Sequence, residues 1–155
     1  MRPAAALVVG TVLCAGLAGC ASVVPGTATF GPVVTSDRAL VDAYVAAANR
    51  AGEAGPAEQA SFLRATQAEG TPFPPDRCFG ELTLDTSLVG RTLRPDPGWR
   101  PPASIGTTAR PDGAVYVAAA AVSVRQGALE VREDVGSKHF VVRDGRVTSY
   151  APCAN

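Results

Sequence analysis

The chain has 155 residues, 46% of them hydrophobic and 18% charged, with 14 Lys plus Arg against 14 Asp plus Glu. These proportions exclude an acidic disordered tail, a collagen-like repeat and a polybasic nucleic-acid binder. Without an apolar leader that ends at Gly19, enough chain remains for one modest core, and 13 basic against 14 acidic side chains set up no field that steers phosphate or anionic lipid.

The leader comes first. Arg2 is its single charge, and 4–19 is an uncharged run of small and branched residues, the pattern of a secretory signal. It is slightly short for a membrane span of about 20 residues. It ends in Leu17-Ala18-Gly19-Cys20, which is a lipobox. Each residue type has a chemical reason: small Ala18 and Gly19 fit a lipoprotein signal peptidase, and the Cys20 thiol accepts a diacylglycerol before becoming the new amino terminus. Two acyl chains, at roughly 0.8 kcal/mol per buried methylene, hold a protein stably where one holds it marginally. The expected organisation is a signal peptide over 1–19, a lipidated tether over 20–35 and a single domain over 36–155. The expected location is the extracytoplasmic face of the cell membrane.

Cysteine usage agrees with that compartment. Cys14 leaves with the signal and Cys20 is modified, so Cys78 and Cys153 remain as an even pair in an oxidising location. A disulfide between them closes a loop of about 76 residues and stabilises by roughly 4–5 kcal/mol as an upper figure. A metal or redox role lacks CxxC spacing and has one histidine to recruit.

Within the tether, 21–34 is rich in Gly, Pro and small residues. Thr35 and Ser36 then offer a hydroxyl N-cap, and Leu40, Val41, Tyr44, Val45 and Ala48 recur at three- and four-residue spacing, which predicts an amphipathic helix ending near Gly52. A second helix is expected from Pro56, a favoured first helical residue, through Phe62 and Leu63 to a stop before Gly70. The proline-rich 70–80 turns the chain toward a strand over 81–85, extended or followed by 87–89. A proline-dense loop over 94–102 surrounds Trp99, the only tryptophan. A strand is expected over 114–125, then strands over 128–135, 138–143 and 146–150. The last two join across Asp144-Gly145, a two-residue type I′ hairpin signal.

This order of two helices and a bent antiparallel sheet is similar to the NTF2-like (cystatin-like) α+β cone. The lipobox, the VPG tether, the ending SKHFVVRDGRVTSYAPC and thirteen arginines to one lysine look like small lipoproteins of actinobacteria, mycobacterial type. The resemblance implies a location and a fold, and it implies that a pocket is available for isomerase, dehydratase or binding roles.

Candidate residues for such roles are Tyr44, Asp85, Tyr116, His139 and Tyr150. The three tyrosines either line a cone with inward hydroxyls or form core edges with a wet tip. Asp85 is either a cone base or a strand-end carboxylate, and Ser137 with His139 shares a strand face on which the two side chains diverge. Trp99 either anchors a partner or closes the core as a proline-stiffened lid. GxGxxG, GxxxxGKS and metal-ligand spacings are absent from the sequence. The expectation is a non-catalytic lipoprotein, without cofactor, metal or nucleic acid. Trp99, Tyr44 and Tyr116 are its contacts to a small apolar ligand or an envelope protein. The alternatives are a small cone-type enzyme on an apolar substrate and an assembly partner in a membrane complex.

Overall fold

The computed structural model describes residues 32–69, 71 and 80–150. The leader, the lipobox residues Leu17, Ala18, Gly19 and Cys20, and both Cys78 and Cys153 lie outside the described residues. Two helices, α1 (Thr35–Ala54) and α2 (Pro56–Ala65), pack against one strongly curled antiparallel half-barrel sheet, an α+β fold. Its strands are β1 (Thr83–Leu88), β2 (Arg94–Pro95), β3 (Ala114–Gln126), β4 (Leu129–Arg143) and β5 (Arg146–Ser149).

On α1 the apolar period delivers one buried stripe, Val41, Tyr44, Val45 and Ala48. The hydroxyl cap expected from Thr35 and Ser36 does not form. Val34 is the N-cap, and its carbonyl accepts the Asp37 and Arg38 N–H groups at 3.0 and 3.1 Å. Asp37, in the first turn, is engaged by the sheet instead. Pro56 opens α2 as expected, where its missing N–H costs nothing.

β3 is the spine of the sheet. Along one side it pairs with β1 from Ala120 to Arg125 and with β2 at Tyr116 and Val117. Between those strands the Thr92 hydroxyl accepts the Ala119 N–H at 3.1 Å, so the pairing continues through the gap. The other side of β3 is taken by β4 along its whole length, with one register shift between Val124 and Arg125. The strand order is β1-β3-β4-β5.

Two corrections to the expected elements follow. The strands expected over 128–135 and 138–143 are one strand of 15 residues, because β3 offers a continuous partner that carries Gly136 through. The proline-dense loop contributes β2, where Pro95 is tolerated at a sheet margin.

Register sets the faces. Tyr116 with Phe140 and Ala118 with Lys138 are opposed pairs and share the concave face, where α1 meets Phe140 and Val147 in the main core. On the convex face Val115 and Val141 pack with Ala68 and Tyr150, and Trp99 and Ile105 of the proline-rich loop lie over them. That second cover explains why Val115 to Ala118 is buried without alternation. Asp144 and Gly145 have φ of 50° and 70°, as the type I′ turn requires.

Candidate functional site

A sheet exposes hydrogen-bonding groups along its edges, and the fate of each edge separates a closed structure from a docking surface. The outer edge of β1 is plugged by two side-chain amides. Asn49 donates to the Thr86 carbonyl and accepts the Thr86 N–H, both at 2.9 Å. Gln59 does the same with Leu84, donating to its carbonyl at 2.6 Å and accepting its N–H at 2.7 Å. Each amide acts as one residue of a missing neighbouring strand, satisfying alternate backbone groups. The approach is close: a Cβ on Gly52 would lie 2.6 Å from Gln59 Nε2 and 3.1 Å from the Leu84 carbonyl. A side chain at 52 would therefore push the Gln59 amide off the strand edge.

The edge of β5 is covered as well. Ala68 N–H donates to the Ser149 carbonyl and Ser149 N–H to the Thr66 carbonyl, both at 3.2 Å, so the chain leaving α2 runs alongside β5. β4 is different. β5 covers only its last part, from Phe140 to Arg143, and no strand among the described residues pairs with the outer edge of 129–139. This open edge carries the two most exposed large apolar side chains of the described residues, Val135 at 76% and Leu129 at 65%, with Val131 exposed between them. The register shift leaves Val131 without an opposing residue on β3. Next to it the Arg132 guanidinium holds Asp134 at 2.7 Å on the concave side of the strand.

The sequence candidates lie elsewhere, and they do not converge. Tyr44 is buried between Phe62 and Phe140, with its hydroxyl 2.7 Å from Ser149 Oγ and burial pushing its pKa up. Tyr116 donates to the Asp37 carboxylate at 2.5 Å. Burial, reinforced by that carboxylate, pushes its pKa up to about 12. Tyr150 is on the opposite face of the sheet. Trp99 stacks on the His139 ring at 4.1 Å between centroids, inclined by 16°, and meets Tyr150 edge-on at 5.1 Å. His139 Nε2 pairs with Asp96 at 3.2 Å, and desolvation under the indole lowers the imidazole pKa against the pull of Asp96. Asp85 is exposed on β1 and Ser137 is exposed on β4.

Two features escaped the sequence. Asp85 shares with Asn49, Glu53, Gly55 and Arg125 the wall of an open groove of about 320 Å³ beside the α1–α2 junction. Arg125 Nε is buried there without a hydrogen-bond partner among the described residues. The second is Lys138. Its half-buried side chain borders the concave core beside a void of about 10 Å³, with Tyr44, Ala48, Gln59, Leu63 and Leu84 around it. Desolvation pulls its ammonium down to about 8. Strand alternation places Lys138 on the Phe140 face, but only the packed helices make that face an interior.

Among the described residues no group of three or more His, Cys, Asp or Glu side chains is placed to hold a metal, and no helix is long and apolar enough to cross a membrane. A scan against protein-family models gave no match, and searches of curated proteins and of solved structures gave none either.

Proposed function

We propose that this chain is a lipid-anchored extracytoplasmic binding protein, held at the membrane through Cys20, whose domain docks a protein partner along the open edge of β4. The observation that carries the docking reading is the unequal treatment of the sheet edges. Side-chain amides close β1 and the chain after α2 closes β5, while among the described residues no strand pairs with the outer edge of 129–139, which carries exposed valines. A partner presenting an extended segment adds a strand there, with main-chain hydrogen bonds for affinity and alternate side chains for specificity. The anchor rests on the sequence, as does a Cys78–Cys153 disulfide. The finer fold assignment, an NTF2-like or cystatin-like cone, is supported by the curled sheet with helices in its concavity.

A binding role is favoured over an enzyme of the cone type by how the candidate groups are spent. The Tyr44 and Tyr116 hydroxyls are committed to Ser149 and Asp37, and the void beside Tyr44 is about the size of one water. Contact with a partner therefore falls to the β4 edge rather than to Tyr44, Tyr116 or the Trp99 indole, which already covers the convex face.

The test is photo-crosslinking in intact cells, with the crosslinker at Val135 or at the exposed Asp42 on α1, and adducts identified by mass spectrometry. A defined adduct from Val135 and none from Asp42 is expected; equal labelling from both removes the docking reading. In parallel, intact mass of detergent-extracted protein carries a diacylglycerol that Cys20→Ala removes, and a mass without lipid overturns the anchor.

A further inference from the structure

We propose that the groove of about 320 Å³ beside the α1–α2 junction binds a free basic amino acid, with the ligand carboxylate on Arg125 and its cationic groups against Asp85 and Glu53. Three elements build this wall: β3 supplies Arg125, β1 supplies Asp85 and α1 supplies Glu53. Thr83 opposes Arg125 across the β1–β3 pair, and Asp85 lies two residues further along on the same side of its strand. Asp85 is therefore a diagonal neighbour of Arg125, at about 7–8 Å. An arginine side chain can span that distance, yet no hydrogen bond or ion pair among the described residues engages the guanidinium. Glu130, which opposes Arg125 on β4, leaves it unbonded as well and stands outside the groove wall.

A half-buried guanidinium normally takes a carboxylate, because its lost hydration is otherwise uncompensated. Here Nε is buried without a partner, and the terminal nitrogens, which are not sealed from solvent, are what Arg125 presents to the groove. Asp85 and Glu53 are exposed and likewise make no side-chain hydrogen bond or ion pair among the described residues. One positive and two negative groups thus stand unpaired on one wall. Glu58 adds to the negative side of the rim, since its carboxylate lies 3.0 Å from where a Cβ on Gly55 would be. The complementary ligand carries one planar anion, held by the terminal nitrogens, and two cationic groups. A neutral amino acid leaves one carboxylate unanswered, a diamine leaves Arg125 unanswered, and a dicarboxylate or phosphate meets Asp85 and Glu53 with like charge. An amino acid with a cationic side chain fits the whole pattern. Size agrees, because the groove volume corresponds to roughly ten waters and free lysine has about ten non-hydrogen atoms.

The experiment titrates L-lysine into the isotope-labelled full-length chain in mild detergent and follows backbone amides by NMR. The amides of Gly52, Gly55 and Gly127, which line the groove, shift and saturate, while that of Val135 on the β4 edge stays in place. L-Norleucine, which lacks only the side-chain ammonium, and cadaverine, which lacks only the carboxylate, each bind about tenfold more weakly. This comparison is made on wild type and needs no variant to fold. Arg125→Met weakens lysine by about tenfold or more and makes lysine and cadaverine equivalent, whereas Asp85→Asn weakens lysine and leaves norleucine unchanged. Absence of saturable shifts at 52, 55 and 127 under millimolar lysine overturns the site. Cadaverine binding as tightly as lysine, or lysine unaffected by Arg125→Met, overturns the carboxylate assignment to Arg125. Norleucine binding as tightly as lysine overturns the choice of a basic amino acid.

Discussion

Lys138 offers a quantitative test of the packing described above. Its neighbours across the concave face are Ala118 on β3 and the apolar flank of α1 and α2, and the void it borders has no carboxylate in its wall. An ammonium in that setting loses hydration without gaining an ion pair, which is why its pKa falls to about 8 from the ordinary 10.5. At about 1.36 kcal/mol per pH unit, that difference corresponds to roughly 3 kcal/mol of destabilisation wherever the unfolded chain carries the charge. Lys138→Met keeps an unbranched chain in the same space and removes the charge. It is expected to raise stability by roughly 1–3 kcal/mol at pH 7, the lower end allowing for water that reaches the ammonium.

The pH dependence has a definite sign. Between about pH 8 and 10.5 the unfolded lysine retains a proton that the folded one has released. The unfolded state then binds more protons, and wild-type stability rises with pH across that interval. Above pH 10 Tyr116, pushed up to about 12, acts oppositely, because its folded form keeps a proton that the unfolded chain loses. The measurement is therefore urea unfolding of both proteins at pH 7, 8, 9 and 10. Wild type gains stability from pH 8 to 10, whereas Lys138→Met starts higher and lacks that gain. A variant less stable than wild type, or two parallel pH curves, would refute an uncompensated, half-buried lysine against the core.

Three further outcomes are expected of the edge closure and the helix start. Gln59→Leu strands the Leu84 N–H and carbonyl in a buried position, and urea unfolding should show a loss of roughly 2–4 kcal/mol. Gly52→Ala adds a Cβ into Gln59 Nε2 and the Leu84 carbonyl, so it should lower stability by roughly 1–3 kcal/mol despite the better helix propensity of alanine; an increase would discard the close approach. Tyr116→Phe removes a hydrogen bond to a carboxylate and should cost about 1–3 kcal/mol in thermal or urea unfolding at pH 7; an unchanged stability would discard that bond as a contributor.

The local elements were readable because their causes are local. A three- and four-residue apolar period produces a helix with one buried stripe, and Val41, Tyr44, Val45 and Ala48 are that stripe. Pro56 suits a first turn whatever lies around it, and Asp144-Gly145 accepts positive φ at both turn positions. Where a distant partner decides, the sequence misled. Separate strands over 128–135 and 138–143 were expected, yet the paired backbone of β3 carries one strand through 136 and 137. A hydroxyl cap at Thr35 or Ser36 was locally plausible, but the chain enters α1 from Val34 in a geometry that places no side chain over the first turn.

The helices, the terminal hairpin and the apolar positions of α1 follow from the residues alone, since backbone preference and side-chain period act over a few residues. Long-range packing set which face of β3 is covered twice and brought the half-buried Lys138 against the helices. It likewise decided that Asn49 and Gln59 close one edge of the sheet while β4 keeps the other open. Those features join residues distant in the chain, Lys138 with Tyr44 and Ala68 with Tyr150, and no local preference encodes such a meeting. They arise when burying the apolar stripes forces the remaining polar groups to find partners across the fold.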